Sequence, residues 1–170
     1  MATHDSFNIA PFWDDEYKHL TYKKEQFNDP ATMIAWEDSG FRGPFGGYMC
    51  DMRSPQPSWN QQFVDFFATL GWQDIGTSYY RMDSGSMLPN HVDTFKKYID
   101  IFNLQGQEHT IRRAVVFLEE WQSGHYAECN GVPYVDWIKG FSLQWTWDSP
   151  HMAINMGSTP RYTLQITGHV

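Results

Sequence analysis

The sequence contains a His-x-Asp motif, formed by His91, Val92 and Asp93. In an extended segment the side chains of residues i and i+2 point to the same side, so this imidazole and this carboxylate converge on one point. Two ligands at that spacing can occupy adjacent positions on a metal ion, and a distant third ligand leaves one side of the ion open. Two histidines and one carboxylate are the ligand set of non-haem Fe(II) oxygenases. The motif is short, so the rest of the site must come from elsewhere in the chain.

Four histidines downstream of the motif are candidates for the third ligand: His109, His125, His151 and His169. His109 lies in a polar turn, His125 follows a glycine and is expected to be solvated, and His169 is expected to fray beside the last residue. His151 instead opens an alternating segment in which it shares one strand face with the small Ala153. Since a small neighbour leaves room for a metal, we predict His151 as the third ligand. The alternative is an ordinary histidine at a strand start.

Arg161 begins a second alternating segment and shares its strand face with Thr163. A turn at residues 157–160 lets this strand pair with the strand that begins at His151, which predicts a guanidinium on the same wall as the metal. The planar guanidinium matches a carboxylate, so Arg161 is a candidate for binding one end of a dicarboxylate, and Thr163 adds a hydroxyl donor. The alternative is a surface arginine at a strand start.

Taken together, the motif at residues 91–93, His151 and Arg161 ten residues later resemble the 2-oxoglutarate/Fe(II)-dependent dioxygenases. The closest likeness is to the aspartyl/asparaginyl β-hydroxylase and prolyl-hydroxylase-like branches. The lead-in MLPNHVD is similar to the family's L-P-x-H-x-D, and residues 140–168 resemble its late strands. The resemblance covers about residues 77–168, whereas the preceding residues match no family that we can name.

The resemblance implies a double-stranded β-helix in which His91, Asp93 and His151 bind Fe(II). It implies that Arg161 binds the distal carboxylate of 2-oxoglutarate. The activity that follows consumes 2-oxoglutarate and O2, releases succinate and CO2, and hydroxylates a C–H bond of the substrate. Related halogenases replace the carboxylate ligand to admit halide, so the presence of Asp93 favours hydroxylation.

Two further residues are candidates for binding the co-substrate. Arg113 occupies a strand on which the β-hydroxylase branch carries an arginine that helps to bind 2-oxoglutarate. Tyr80 lies on a predicted neighbouring strand from which its phenol can donate to the co-substrate. Trp145 and Trp147 alternate onto one face before the distal histidine, where they either wall the pocket or pack in the core.

The second half of the chain has the pattern of a β protein. From residue 110 onward short β-prone segments are separated by glycine, asparagine and proline breakers, and Asn130-Gly131 predicts a hairpin. This pattern predicts a mainly β fold with flanking helices, a double-stranded β-helix of the jelly-roll or cupin-like kind, with its core at residues 77–168.

The first half predicts a different kind of structure. Residues 1–76 are expected to form helix pieces and irregular segments that pack on the barrel, within one domain at residues 1–170. The clearest helix is predicted at residues 58–70, where apolar residues recur at helical spacing, with Ser58 as its N-cap and Gly71 as its end.

Three segments are less determined by their pattern. Residues 94–104 fit either a short amphipathic helix or a strand. Residues 40–57 and 83–90 are rich in glycine and other turn formers, and we expect them to form loops over the pocket.

Composition limits the class of protein. A 170-residue chain with 41% hydrophobic and 17% aromatic residues has enough apolar material for a core. Its net charge is −8 and its basic residues are scattered, which argues against binding to long nucleic acid. By family resemblance, the expected substrate is a small molecule or the side chain of an amino acid, peptide or protein.

The cysteines and the hydropathy of the chain indicate the cellular location of the protein. Cys50 and Cys129 form no close-spaced motif, so we expect free thiols in a reducing compartment. The N-terminal residues lack the pattern of a secretory leader, and no apolar run is long enough for a membrane span. The sequence therefore predicts a cytoplasmic protein without a membrane segment, and it leaves the oligomeric state open.

Two alternatives remain at this point. A cupin-type enzyme can bind metal without using 2-oxoglutarate, in which case Arg161 is dispensable. A non-catalytic β-sandwich with a binding or structural role would carry the histidines and the aspartate as ordinary polar residues, and it would have no metal affinity.

Overall fold

The computed structural model describes residues 2–43 and 45–170, apart from the side chain of Gln26. These residues form eleven strands, three α-helices and two short 3-10 turns. The strands are β1 (His4–Asn8), β2 (Lys23–Gln26), β3 (Gly46–Asp51), β4 (Gln73–Met82), β5 (Met87–His91), β6 (Ile111–Phe117), β7 (His125–Cys129), β8 (Val132–Tyr134), β9 (Phe141–Thr146), β10 (His151–Asn155) and β11 (Arg161–His169). The helices are α1 (Pro30–Asp38), α2 (Asn60–Thr69) and α3 (Lys96–Phe102), and the 3-10 turns are Asp15–His19 and Glu108–Thr110.

The strands form two antiparallel sheets. The larger sheet has seven strands in the order β1-β9-β6-β11-β4-β3-β2, and the smaller has four in the order β5-β10-β7-β8. One large cavity is lined by residues of both sheets, so the two sheets face each other across it. The predicted mainly β fold with flanking helices, a double-stranded β-helix, is confirmed.

The central strand of the larger sheet, β11, shows how the sequence divides the two faces of this sheet. Leu164 and Ile166 point outward into the main hydrophobic core, where Phe63 and Phe67 of α2 cover them. The alternate residues, beginning with Arg161, point inward and line the cavity. Burying a side chain of this size contributes about 1.5–3 kcal/mol, so the outward residues hold the sheet and leave the inward positions free for polar groups.

Helix α2 lies where its apolar spacing predicts it, but it begins two residues later than predicted. The N-cap is Trp59, without a side-chain capping bond, and the predicted cap Ser58 instead donates its N–H and hydroxyl to the carboxylate of Glu16 at 2.9–3.1 Å. Gly71, with φ +86°, ends the helix as predicted. The undecided segment 94–104 contains helix α3.

The prediction that residues 1–76 are helical and irregular is wrong in one respect, because three of the seven strands of the larger sheet come from this part. Strand β1 pairs with β9, β2 with β3, and β3 with β4. Their sequences, HDSFN, KKEQ and GGYMCD, are short and polar or begin with glycines, so they lack the alternation that marks a strand. Pairing with neighbouring strands of the larger sheet determines their conformation.

The expected glycine-rich loop at residues 40–57 is therefore only partly a loop, since β3 lies inside it and Pro44 lies outside the described residues. Gly47 in this strand is required by close packing. A Cβ atom at this position would lie 2.5 Å from the carbonyl oxygen of Arg81 and about 3.0 Å from the ring of Tyr80. Of the other expected loop, residues 83–90, the second half is strand β5.

The predicted pairing of the His151 strand with the Arg161 strand is also wrong. Strand β10 lies between β5 and β7 in the smaller sheet, and β11 lies between β4 and β6 in the larger one. The intervening segment crosses between sheets and is held by Asn155, whose Nδ2 donates to the carbonyl oxygens of Met82 and Thr159 at 2.8 Å. Alternation identifies the faces of a strand but not its partner, so a crossover was mistaken for a hairpin. The Asn130-Gly131 hairpin, by contrast, joins β7 and β8 as predicted.

The structure also bears on the predictions of free cysteines and of no membrane segment. Cys50 and Cys129 are buried free cysteines, as predicted. Among the described residues, the structure has no helix long and apolar enough to cross a membrane.

Candidate metal centre

The backbone brings the two predicted histidine ligands together. His91 ends strand β5 and His151 begins β10, and the two residues are direct partners in the antiparallel register. Their ring centroids lie 4.3 Å apart. A cross-strand pair of this kind places both imidazoles on one side of the smaller sheet, facing the cavity.

Asp93 completes the group. Its Oδ1 lies 3.7 Å from Nε2 of His91, and its Oδ2 lies 3.8 Å from Nε2 of His151. One ligand atom from each residue lies within 4.8 Å of the others. Donors that each lie about 2.1 Å from one ion are at most about 4.2 Å apart. The two distances from Asp93 to the imidazoles, 3.7 and 3.8 Å, fall within this limit and so have the scale of a single metal site.

Hydrogen bonds to backbone carbonyls set the tautomers of both rings. Nδ1 of His91 lies 2.8 Å from the carbonyl oxygen of Pro89, and Nδ1 of His151 lies 3.0 Å from that of Ser149. Because a carbonyl only accepts, each Nδ1 carries the proton and each Nε2 keeps its lone pair towards Asp93. This outer hydrogen bond is the usual way in which a metal-binding imidazole is oriented.

The charge states also fit a cation. Burial, helped by the neighbouring His151, lowers the pKa of His91 to about 4, so the imidazole of His91 is neutral at neutral pH. Burial alone would raise the pKa of Asp93, but Arg113 and the two imidazoles more than offset this and hold it below its usual range. A neutral imidazole beside an ionised carboxylate is the form that binds a metal ion.

Aromatic rings from distant parts of the chain surround the histidines. The centroids of Phe27 and Trp36 lie 4.8 and 5.6 Å from that of His91, and Trp145 lies 4.7 Å from His151. Of the two tryptophans expected either to wall the pocket or to pack in the core, Trp145 does both, whereas Trp147 is 38% exposed. Phe27 and Trp36 were missed, because nothing in the sequence links the first forty residues to the motif.

The three ligand candidates open onto a cavity of about 700 Å³ between the two sheets. Arg161 lines the same cavity from the opposite, larger sheet, and not from the same wall as predicted. The residue is 6% exposed, and its Nη1 donates to the carbonyl oxygen of Tyr126 at 2.8 Å. The two walls therefore present the candidate ligands and the guanidinium towards a common space.

Arg161 has no carboxylate within ion-pair distance among the described residues, and its buried Nε makes no hydrogen bond there. Burial lowers its pKa to about 10, which still leaves the group charged at neutral pH. A buried charge is costly unless it is paired. The missing partner fits an anionic ligand in the cavity.

Thr163 and Tyr80 lie beside this guanidinium. They are partners across β11 and β4, both are buried, and both line the cavity. Burial raises the pKa of Tyr80, so its phenol stays protonated and can donate a hydrogen bond. The glycine at position 47 leaves the space that this ring occupies.

Comparison with known proteins agrees with this architecture. No protein-family model matches the chain, and no curated protein matches it. A solved prolyl-4-hydroxylase from Pseudomonas putida superposes with a TM-score of 0.56 at 14% identity, over 91% of this chain and 95% of that chain. KdgF from Halomonas sp. gives 0.44 at 8% identity over 74% and 80% of the two chains, and a cupin domain from Bordetella pertussis tohama i gives 0.43 at 13% over 77% and 100%.

The fold is a double-stranded β-helix. At these identities the likeness shows the fold alone. The prolyl-4-hydroxylase match spans nearly all of both chains, so the matched region extends well beyond residues 77–168 and into the N-terminal part.

Arg113, the other arginine predicted to bind the co-substrate, lies beside the metal centre. It projects from the inner face of β6, and its Nη2 lies 3.3 Å from Oδ2 of Asp93. Its Nη1 donates to Oε1 of Gln165 at 3.4 Å, and the guanidinium carbon lies 5.0 Å from the ring centroid of Phe95. Its buried Nε makes no hydrogen bond within the described part of the chain.

The remaining downstream histidines lie outside the metal centre. His125 was expected to be solvated, but it is buried at the start of β7 with Nε2 3.1 Å from the carbonyl oxygen of Thr159. His169 was expected to fray, but it belongs to β11 and its Nδ1 lies 3.1 Å from the hydroxyl of Tyr98. His109 is exposed in a 3-10 turn, as its polar neighbours predict.

Proposed function

We propose that this protein is a 2-oxoglutarate- and O2-dependent non-haem Fe(II) oxygenase. One observation carries the proposal: a His-Asp-His group and a buried arginine that has no counter-ion among the described residues face the same cavity from opposite sheets. Two imidazoles and a carboxylate suit Fe(II) and leave positions open for further ligands. The guanidinium of Arg161 suits the far end of a dicarboxylate.

In this proposal His91, Asp93 and His151 hold the metal. When bound, Fe(II) supplies the activation of O2 that is coupled to oxidative decarboxylation of the co-substrate. The overall reaction converts R–H, 2-oxoglutarate and O2 into R–OH, succinate and CO2. One oxygen atom enters the new hydroxyl group and the other enters the carboxylate of succinate.

The residues of the chain orient and shield the reactants. The carbonyls of Pro89 and Ser149 fix the two imidazoles, and Arg161 with Thr163 and Tyr80 binds the distal carboxylate of 2-oxoglutarate. The aromatic rings around the histidines exclude water from one side of the metal centre, which strengthens the electrostatic interactions within it.

The proposed substrate is a C–H bond of an amino-acid, peptide or protein side chain. The prolyl-4-hydroxylase, whose fold the chain resembles, supports this class. The net charge of −8 disfavours long nucleic acid as a substrate.

The test is turnover of the co-substrate. Fe(II)-loaded protein in air should release succinate in proportion to 2-oxoglutarate consumed, and His91→Ala should abolish this. Loss of a charge-assisted hydrogen bond costs about 1.5–3 kcal/mol, so Arg161→Ala should raise the KM for 2-oxoglutarate roughly 10- to 100-fold. The matched control Arg112→Ala changes an arginine that bonds to nearby backbone carbonyls instead of lining the cavity, and it should leave the KM unchanged.

Metal content and succinate release, measured on the same protein, separate the alternatives. A cupin-type enzyme that does not use 2-oxoglutarate would bind metal, release no succinate and be indifferent to Arg161→Ala. A non-catalytic β-sandwich would bind no metal at all. Either result would contradict the proposal.

A further inference from the structure

The cavity extends along strand β11 well beyond the metal centre. Arg161, Thr163, Gln165 and Thr167 all line it. At about 3.3 Å per residue these positions span about 20 Å, which is longer than a five-carbon co-substrate. The cavity therefore has a second end, beside Thr167, that the binding of 2-oxoglutarate at Arg161 leaves free.

This second end is apolar. Its walls come from the segment after β3, from the start of β4 and from α3: Met52, Ile75, Tyr98, Ile101 and Phe102. Met52 and Ile101 are each 56% exposed although they are large and apolar. Apolar side chains that line a cavity and face water at its opening mark the place where the apolar part of a ligand is bound. We call this part of the cavity the α3 arm.

Arg113 joins the α3 arm to the metal centre. Its backbone pairs with Thr167, at the far end of the cavity, while its guanidinium reaches Asp93. The face of the guanidinium lies against Phe95, the residue that precedes α3. Its polar contacts within the described residues are long, at 3.3 and 3.4 Å, and its buried Nε has no partner there. The group therefore has donors left for another acceptor.

The charges in the cavity favour an anion as that acceptor. Inside the cavity, the basic side chains of Arg113 and Arg161 face a single acidic side chain of the described residues, Asp93, besides the two histidines. The acidic and basic side chains at the rim balance each other: Glu25, Asp51 and Glu128 against Arg53, Lys96 and Lys97. A divalent metal and a dicarboxylate cancel each other, so one positive charge remains whether or not the site is loaded.

We propose that the substrate is a monoanionic carboxylic acid with an apolar body, whose carboxylate binds Arg113 and whose body occupies the α3 arm. This inference rests on the proposed function; it narrows the amino-acid class to N-acylated apolar amino acids and adds free aliphatic acids, which carry the same two groups. It assigns Arg161 to the co-substrate and Arg113 to the substrate, instead of both to 2-oxoglutarate. It also places the carbon atoms next to the carboxylate nearest the metal centre. Aliphatic acids and N-acylated apolar amino acids share this chemistry.

The test is calorimetric titration of Fe(II)-loaded protein under anaerobic conditions, with and without 2-oxoglutarate. The probes are octanoate, N-acetyl-leucine and, as a neutral match for the first, octanamide. We expect at least one of the two acids to bind. If octanoate binds, octanamide should bind at least about 10-fold more weakly than octanoate. The acid that binds more tightly identifies the source of the ligand. Equal binding of octanoate and octanamide, or no heat from either acid, would overturn the inference.

Variants of the two arginines show which of them binds the carboxylate of the acid. Arg113→Gln should weaken binding of the acid at least about 10-fold and change the affinity for 2-oxoglutarate less than about threefold, while Arg161→Gln should show the reverse. Arg112→Gln is the control on the same strand. Ile101→Asp should weaken the acid by placing a negative charge in the α3 arm. If Arg113→Gln weakens 2-oxoglutarate and spares the acid, Arg113 serves the co-substrate and the inference is wrong.

Two readouts keep the outcomes distinct. Thermal unfolding shows whether each variant is folded, and Arg113→Lys, which retains the charge, should bind the acid better than Arg113→Gln. Binding of the acid through Arg113 without any binding of 2-oxoglutarate would refute the proposed function and keep the anion site. Binding of 2-oxoglutarate without binding of either acid would refute this inference and leave the proposed function standing.

Discussion

At the scale of single residues, the metal centre depends on backbone acceptors as much as on its ligands. The carbonyls of Pro89 and Ser149 hold both imidazoles with Nε2 towards Asp93. A histidine that offers a lone pair in the right direction before metal arrives loses little freedom on binding. This explains how three side chains on two strands and a following loop form one site.

His151→Ala should remove one of the three donors and weaken Fe(II) binding by at least about 100-fold, since even outer-shell changes cost 10- to 100-fold. His109→Ala is the matched control, because His109 is exposed and outside the cavity. Metal content after equilibrium dialysis measures both. Equal metal content in the two variants would show that His151 is not a ligand.

Tyr80→Phe should weaken 2-oxoglutarate binding about 2- to 12-fold, the equivalent of one hydrogen bond of about 0.5–1.5 kcal/mol. Tyr79→Phe is the control on the same strand, because its hydroxyl donates to Asn60 at 2.8 Å on the opposite face of the sheet. Tyr79→Phe should lower stability without changing the affinity for 2-oxoglutarate. The same affinity for both variants would remove Tyr80 from the co-substrate site.

The sequence predicted the residues of this centre better than their surroundings. His91, Asp93 and His151 have a chemical type and a spacing that restrict what they can do, and the structure brings all three together. Phe27 and Trp36 have no such signal, because an aromatic residue packs equally well anywhere in a core. Arg113 was found by its resemblance to an arginine of the β-hydroxylase branch, but its contact with Asp93 depends on rotamers that no pattern encodes.

At the scale of elements, the crossover between β10 and β11 decides where Arg161 lies. Asn155 holds this crossover with two bonds from its amide to the carbonyls of Met82 and Thr159, and its Oδ1 accepts the N–H of Gly157 at 2.9 Å. A hairpin at this point would have placed Arg161 in the same sheet as the metal ligands. The crossover places it opposite them, which leaves room for a ligand between.

Asn155→Ala should destabilise the protein by about 3 kcal/mol, because it removes three hydrogen bonds made by a fully buried side chain. Urea denaturation measures this change. Met156→Ala, next in sequence and 74% exposed, is the control and should change the free energy of unfolding by less than about 0.5 kcal/mol. Similar stabilities for the two variants would contradict the role assigned to Asn155.

Elements with a repeating apolar pattern or a clear turn signal were predictable, and elements without either were not. Helix α2 and strand β11 carry enough apolar residues at a fixed period to identify themselves. Strands β1, β2 and β3 have four to six residues each, polar or glycine-rich, and they depend on pairing with β9 and β4. Their conformation is a tertiary effect, so no local pattern could reveal it.

At the scale of the whole molecule, the candidate site belongs to neither sheet alone. His91 and His151 come from the smaller sheet, whereas Arg161 and Arg113 come from the larger one. The outward face of the larger sheet is buried by α2 and the N-terminal segments, which lets its inward face carry polar and charged side chains. The fold thus separates stability, on the outside of the larger sheet, from the proposed chemistry between the sheets.

The measurement that tests the central claim most directly is an anaerobic titration of metal-free protein with Fe(II) and then 2-oxoglutarate, followed by visible absorption. We expect a weak charge-transfer band that needs both additions and is absent in His91→Ala. In Arg161→Ala the band should need roughly 10- to 100-fold more 2-oxoglutarate. No band and no bound metal in the unmutated protein would contradict the account and leave a binding or structural β-domain as the better description.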